Sequence, residues 1–434
     1  MSRPEEQGVH PRRGPVRLEP ARGPARGTVS VPPSKSLTNR ALVAAAVAGG
    51  GTVERALDCD DTRRLAEALA AMGWEVSWEG DTVRVGPRRR PRGPVAVHLG
   101  DSATGARFVL ALAAVVPGET LVDGSPRLRE RPMAPLLAAL ARLGAEVEAA
   151  SADRLPVRVR GGPVAGGRVT LDPGVSSQFV SALLLAAPAM PRGLELVLEG
   201  ALPSRPYVRL TEAVLEAFAA AVTRRADGCG WRVSAGGARP TVYRVEGDWS
   251  AAAFPLAAAA VAGGEVRVRG VSAESAQGDR RVVDLLGRIG CSVRWEDGAV
   301  AVRGPALAPL EADLRDTPDL FPALAAVAAA APPGSRLEGL ETLAFKESDR
   351  LAVMAANLSR LGAEVVVGPG TLEVLRPLRP PGGGPVAVTA AGDHRIAMAM
   401  AVAALRAGPA ALDDGGCVAK SYPEFWSDWE GIVG

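Results

Sequence analysis

A two-lobed α/β fold, with six copies of one unit arranged three to a lobe, is what this sequence predicts. Three observations carry that expectation. The chain has 434 residues, more than a single ordinary core holds. A small polar cluster followed by an alanine-rich run recurs along it: "SKSLTNRALVAAAVAGG", "SATGARFVLALAAVVPG", "SSQFVSALLLAAPAMPRG", "WSAAAFPLAAAAVAGG", "PDLFPALAAVAAAAPPG" and "DHRIAMAMAVAALRAG". Anchored on Ser36, Thr104, Ser177, Ser250, Asp319 and Asp393, the copies lie 68, 73, 73, 69 and 74 residues apart, so six units nearly exhaust the chain.

Each element of the unit is legible in order. The polar cluster opens a helix, and a glycine turn closes it. A short strand follows ("TVERAL", "ETLVDG", "LELVLEG", "EVRVRGV", "SRLEGL"). Next comes a second helix ended by glycine and followed by a further strand, with Gly73, Gly144, Gly290 and Gly362 as the closing residues. The third unit's second helix, "TEAVLEAFAAAV", lacks that glycine. An open solenoid fits less well than two lobes, because no cap repeats mark its ends. The first lobe is expected over residues 33–245. The second is expected over 246–434 together with a strand near 28–32, so that two adjacent chain crossings form a hinge. Residues 1–27, rich in Pro, Arg and Gly, are expected to be a largely flexible end.

Composition narrows the function classes. The 50 basic and 48 acidic residues nearly cancel, and only 4% of residues are aromatic, which argues against a nucleic-acid-binding or membrane-surface protein. No apolar run approaches the roughly 18 residues of a membrane helix. The N-terminal stretch has no apolar segment of the secretory kind. Cys59, Cys229, Cys291 and Cys417 are far apart, and His10, His98 and His394 are the only histidines, so a His/Cys metal site is not expected. A reducing, cytoplasmic setting fits the cysteine usage.

The helix starts carry the functional signal. Unpaired N–H groups and the positive end of the dipole make each one a place for an anion. Around them stand Lys35 and Arg40 beside Ser36, Arg107 after Thr104, Gln178 after Ser176 and Ser177, and His394 and Arg395 after Asp393. Convergence of three heads from each lobe would make a cleft for small ligands bearing phosphate and carboxylate. Lysine occurs only at Lys35, Lys346 and Lys420, against 47 arginines, and all three lie at polar mouths of units. Arginine forks anions well but stays protonated, whereas burial and cationic neighbours move a lysine toward proton transfer. Asp319 and Glu347 are the neighbouring candidates for acid/base work.

The motifs "SKSLTNRAL", "LDCDDTRRL", "PRLRERPM", "SSQFVSALL", "SRPYVRLT", "VEGDWSAAAF", "KESDRLAVM" and "DHRIAMAM", in that order from about Val29 to Phe425, make the chain resemble the 5-enolpyruvylshikimate-3-phosphate synthase family. The resemblance implies a two-lobed enolpyruvyl transferase fold. Each lobe has three βαβαββ units in an inside-out, α/β-barrel-like arrangement, and a two-strand hinge joins the lobes. It implies transfer of the enolpyruvyl group of phosphoenolpyruvate to the 5-hydroxyl of shikimate 3-phosphate, a step toward chorismate and the aromatic amino acids. It also implies a monomer with these two small molecules as its only partners and with no metal or organic cofactor. By motif, Lys35, Ser36, Arg40, Ser176, Ser177 and Ser204 resemble shikimate-phosphate contacts, with Gln178 between the substrates. Lys35, Arg127, Arg350, Arg395 and Lys420 resemble the phosphoenolpyruvate clamp. Asp319 and Lys346 match the pair at the attacking hydroxyl, and Glu347 the carboxyl that delivers a proton.

In "DSATGARF" the chain has Ala103 where the family commonly has glycine. A methyl group there narrows the phosphoenolpyruvate side, and the expectation is insensitivity to the slightly longer inhibitor glyphosate. The sibling that transfers enolpyruvyl to UDP-N-acetylglucosamine usually has Asn after its first lysine and a reactive cysteine on a mobile loop. Here Ser36 follows Lys35, and "SPRLRERPM" has no cysteine. A non-catalytic anion- or RNA-binding repeat protein is the remaining alternative, and the balanced charge weighs against it.

Overall fold

Alanine decides the interior. It is the strongest helix former and has the smallest side chain that still avoids glycine's entropy cost, so helices built from it approach one another closely. The computed structural model describes residues 14–434 apart from positions 152, 153, 163, 175, 297 and 381. His10 and the first part of the expected loose end lie outside the described residues. Six alanine-rich head helices run Lys35–Val47, Ala103–Val115, Gln178–Ala186, Trp249–Ala262, Phe321–Ala330 and His394–Ala407. In Phe321–Ala330 every residue but the last is buried, as a helix apolar on all sides must be. The first three head helices pack on one another, and so do the last three.

Sheets flank these helices. In the second unit Val95–His98 runs parallel to Gly118–Asp123, which pairs antiparallel with Arg154–Gly161, itself antiparallel to Glu146–Ser151. The sheets stay separate, five of four strands and one of three among the described residues, so helices lie inside without any closed barrel. Much of the arginine is used on the outer sheet faces, as where Glu265 pairs with Arg294 at 2.9 Å and Arg303 at 2.7 Å. Such exposed cross-strand pairs are worth a few tenths of a kcal/mol to about 1 kcal/mol each.

Buried apolar side chains form two clusters. One takes in Leu37 to Val245, and the other Val16 to Val31 together with Trp249 to Ile432. The strands entering units one and four are exchanged between them. Ala25–Ser30, which precedes the first head helix, runs parallel to Gly264–Arg269 in the fourth unit's sheet. Val242–Arg244, which precedes the fourth head helix, runs parallel to Thr52–Glu54 in the first. Where the two crossings meet, Ser34 N–H donates to the Glu246 carbonyl at 2.8 Å and Asp248 N–H to the Pro32 carbonyl at 2.9 Å. Gln277 braces the spot, donating to the Gly247 carbonyl at 2.8 Å and accepting from Trp249 N–H at 3.1 Å.

Part of the expected flexible end is folded. Val16–Leu18 pairs antiparallel with Ala410–Leu412, and the exchanged strand starts at Ala25 rather than near residue 28. The reason is burial: Val16, Leu18 and Ala25 sit in the second cluster, which pattern reading missed because prolines and arginines surround them.

The closing glycines Gly73, Gly144, Gly290 and Gly362 have φ of 103°, 98°, 97° and 87°. In the third unit Ala219 takes that place with φ 59°. A left-handed alanine costs roughly 1–2 kcal/mol, partly offset by glycine's greater freedom when unfolded. Ala219→Gly is therefore expected to stabilise the first lobe by up to about 1 kcal/mol, read as a raised midpoint in denaturant unfolding.

Candidate active site

Five of the six head-helix starts reach one cleft between the lobes. Ser36, Thr104, Ser177 and Arg395 stand in or beside first turns, and Asp319 lies in the 3-10 turn that leads into Phe321–Ala330. The first lobe contributes serine hydroxyls and most of the lining. The second contributes Asp319, Lys346, Glu347 and Arg395. Five cationic side chains and three carboxylates line the cleft, a surplus of positive charge suited to anionic ligands.

The first lobe's polar groups are held from behind. Arg107, 2% exposed, donates to Ser176 Oγ at 3.1 Å, to Gln178 Oε1 at 2.6 Å and to the Pro132 carbonyl at 3.0 Å. Arg40 is 1% exposed and donates to Thr211, Ser181 and the carbonyls of Ser36 and Tyr207. Those bonds take four of its N–H groups, which leaves one of the guanidinium's five for the cleft. Burial pulls its pKa down to about 10, so it stays charged at neutral pH. Ser204 stands just before its helix with φ 55°, a costly conformation for serine. The other lobe holds it there: Ser204 N–H donates to the Arg315 carbonyl at 3.1 Å, and Arg205 N–H to Asp316 at 3.1 Å.

Carboxylates bind the cations together. Lys35 Nζ lies 2.9 Å from Asp61, and Lys420 Nζ reaches the same carboxylate from the second lobe at 3.9 Å. Burial alone would lower the Lys35 ammonium, but Asp61, with Cys59 and Glu347 behind it, lifts it above its ordinary value. Asp319 receives Lys346 at 3.3 Å, Arg350 at 2.7 Å, Arg395 at 3.2 Å and the Tyr207 hydroxyl at 2.9 Å. Burial pushes that carboxyl up, yet Arg395, Lys346 and Arg350 together hold it well below the usual range. The same contest, between burial and the cations Arg350, Arg131 and Lys420, leaves Glu347 well below its range as well. Lys346 moves the other way for an ammonium: burial lowers it, and Asp319 only partly restores it. His394 is fully buried with both ring nitrogens unpaired, and burial together with Lys35 and Arg395 keeps it neutral.

Residues 20–429 match the family model described as EPSP synthase (3-phosphoshikimate 1-carboxyvinyltransferase). The chain belongs to the EPSP synthase family. It is 43% identical to the 3-phosphoshikimate 1-carboxyvinyltransferase of Thermococcus kodakarensis, over 93% of this chain and 96% of that one. With the enzyme of that name from Syntrophobacter fumaroxidans it shares 40%, over 95% and 98%. Among solved structures, the EPSP synthase of Acinetobacter baumannii superposes with a TM-score of 0.78 at 26% identity, covering 97% of this chain and 98% of that one. The enolpyruvyl transferase NikO of Streptomyces tendae, at 20% identity and a TM-score of 0.76 over 97% and 98%, shares the fold.

Within this family frame, most residues singled out by motif do meet. Lys35, Ser36, Arg40, Ala103, Ser176, Ser177, Gln178, Ser204, Asp319, Lys346, Glu347 and Arg395 all line the cleft. Lys420 stands one carboxylate back, behind Asp61. Arg350 is fully buried, its guanidinium engaged by Asp319, Glu347 and Asp393, so it braces the cleft instead of lining it.

Arg127 differs from expectation. It reaches across to the other lobe and donates to the backbone carbonyls of Glu347 at 3.1 Å and Lys346 at 3.0 Å. Arg131, four residues on, takes the place in the lining that the motif reading gave to Arg127. It is 6% exposed, its Nε has no partner, and its nearest carboxylate, Glu347, is 3.9 Å away. The sequence reading also gave no role to Asp61 or Tyr207, although both lie in the quoted motifs "LDCDDTRRL" and "SRPYVRLT". One signal was present: Tyr207 is one of only three tyrosines.

A buried guanidinium with free donors is the natural hold for a carboxylate or phosphate. Arg131→Ala is expected to weaken phosphoenolpyruvate binding by about tenfold or more, and Arg127→Ala by less, in calorimetric titrations. The opposite order would return the clamp to Arg127.

Proposed function

We propose that this chain transfers the enolpyruvyl group of phosphoenolpyruvate to the 5-hydroxyl of shikimate 3-phosphate and releases phosphate. The observation that carries the reading is Asp319. It is a carboxylate under four donors, facing a cleft rich in serine hydroxyls, lysines and guanidinium groups.

In this reading the shikimate phosphate lies among Lys35, Ser36, Ser176, Ser177 and Ser204, with Arg40's free N–H beside them. Phosphoenolpyruvate lies against Lys35, Arg131 and Arg395, with Gln178 between the ligands and Lys420 and Arg350 reinforcing the field. The hydroxyl oxygen attacks C2 as Asp319 takes its proton, and C3 gains a proton to become a methyl group. The tetrahedral adduct then expels phosphate as the C2–O bond to phosphorus breaks and C3 returns its proton. Lys346, its acidity raised by burial, and Glu347 stand where that second proton moves. The anionic ligand draws Arg131 away from Glu347 and so raises that carboxyl from its depressed value. The cleft supplies orientation and preset charge.

A monomer is the working unit in this reading, and the cytoplasm as its setting agrees with four free cysteines. No helix among the described residues is long and apolar enough to cross a membrane.

Ala103 is 3% exposed at the first turn of its helix and lines the cleft. We extend the reading to glyphosate insensitivity, since one methyl group in a filled pocket discriminates by roughly 10–200-fold. Wild type should resist sub-millimolar glyphosate, Ala103→Gly should gain sensitivity, and competitive sub-millimolar inhibition of wild type would reject the idea.

The central test is phosphate release from phosphoenolpyruvate with shikimate 3-phosphate as acceptor. Asp319→Ala is expected to lose at least about 1,000-fold in kcat while still binding both ligands. Absence of phosphate release by wild type would overturn the assignment.

A further inference from the structure

The fourth head helix, Trp249–Ala262, is the one that does not reach the main cleft. Its Ser250 lines a smaller adjoining cavity that shares Ser36 and Tyr207 with it. Inside lies Asp279, 3% exposed, to which the reaction described above gives no task. Ser250 Oγ donates to Asp279 Oδ2, and the Tyr207 hydroxyl oxygen lies 3.3 Å from that same atom. Tyr207 meanwhile donates to Asp319 Oδ2 at 2.9 Å. A first-lobe hydroxyl is thus wedged between two second-lobe carboxyl groups.

One phenol carries one hydrogen. If both carboxyl groups were charged, a lone pair of Tyr207 would face an anionic oxygen without a proton between them. Asp279 also differs from Asp319 in its company. Among the described residues no cation pairs with it, and its Oδ1 has no hydrogen-bond partner at all. A buried carboxylate with an orphan oxygen and no counter-charge is costly, whereas the neutral acid closes the row by donating from Oδ2.

We propose that Asp279 is a positioning residue that carries a proton in the working protein and, by staying neutral, leaves the Tyr207 hydrogen to Asp319. The inference rests on the enolpyruvyl-transfer reading, in which Asp319 is the base. The groups facing Asp279 agree with it. Burial first, then Asp319 and Asp248, push its carboxyl up to about 7, against the opposing pull of Ser250 and Arg395. Arg395 spends its close contact on Asp319. Arg280, next along the same turn, is not among its partners.

A consequence for binding follows from the sign. Free protein loses the Asp279 proton as pH rises through about 7. Two entering anions make another negative charge there more costly, so binding takes the proton back. Above pH 7 affinity should fall by up to about tenfold per pH unit on this account, with uptake approaching one proton.

Shikimate 3-phosphate can be titrated calorimetrically at pH 8 in buffers of different ionisation enthalpy. Wild type is expected to take up to about one proton more than Asp279→Asn, whose amide imitates the neutral acid. Equal uptake in the two proteins overturns the proposal. A second measurement needs no substrate. Infrared spectra of the free protein at pH 6 should show a protonated-carboxyl band that Asp279→Asn lacks, and its absence from wild type also overturns the proposal. Should Asp279→Asn not fold, the titration of that band in wild type between pH 6 and 8 replaces it, and no change across that range counts against the inference. Failure of phosphate release with an intact band would refute the catalytic reading while leaving the proton on Asp279.

Discussion

Arg350 is sealed from solvent, and three carboxylates from separate stretches of chain close on it: Asp319, Glu347 and Asp393. The cleft depends on this arrangement. Positive helix starts, lysines and arginines repel one another when gathered, and only internal anions hold them close enough to act on one ligand. Asp61 does for Lys35 and Lys420 what Asp319 does for Lys346, Arg350 and Arg395. Removing one partner from such a buried group costs about 3–5 kcal/mol, because the remaining charge is stranded. The carboxylates therefore have two duties, as struts for the empty cleft and as proton carriers in the reaction. A ligand that brings its own negative charge relieves the first duty and frees the second.

The lobes are coupled at several points by groups that also shape the site. Arg127 grips the backbone beside Lys346 and Glu347, the Arg315 carbonyl fixes the strained Ser204, and Tyr207 plugs into the second lobe's carboxyl pair. Each contact sets the position of a lining residue using the opposite lobe. Completion of the site and apposition of the lobes are thus one event, which suits a reaction whose intermediate must be kept from water.

The repeat was readable because its signal is local: alanine periodicity, a polar start and a closing glycine all lie within a few turns of helix. Even the exception was visible, as the glycine missing from the third unit's second helix, where Ala219 stands. The exchanged strand was only half visible, since Ala25–Ser30 pairs with residues more than two hundred positions away and its flanks are rich in proline and arginine. The cleft was legible where it follows from helix starts, as at Lys35, Ser177 and Arg395. It was illegible where one short turn decides which of two arginines looks inward. Asp279 was silent for a related reason: its meaning comes from Tyr207, 72 residues away in sequence.

The strand exchange at the crossings bears on ancestry. The chain pattern has a doubled look, three units and then three more, and invites the picture of two halves fused end to end. Yet a fragment cut at Thr241 would hold the ribbon its twin needs and lack the one it needs itself. Each half is finished only by a piece of the other, so the pair persists as one heritable object, and neither part can be shed without leaving an open seam in its partner.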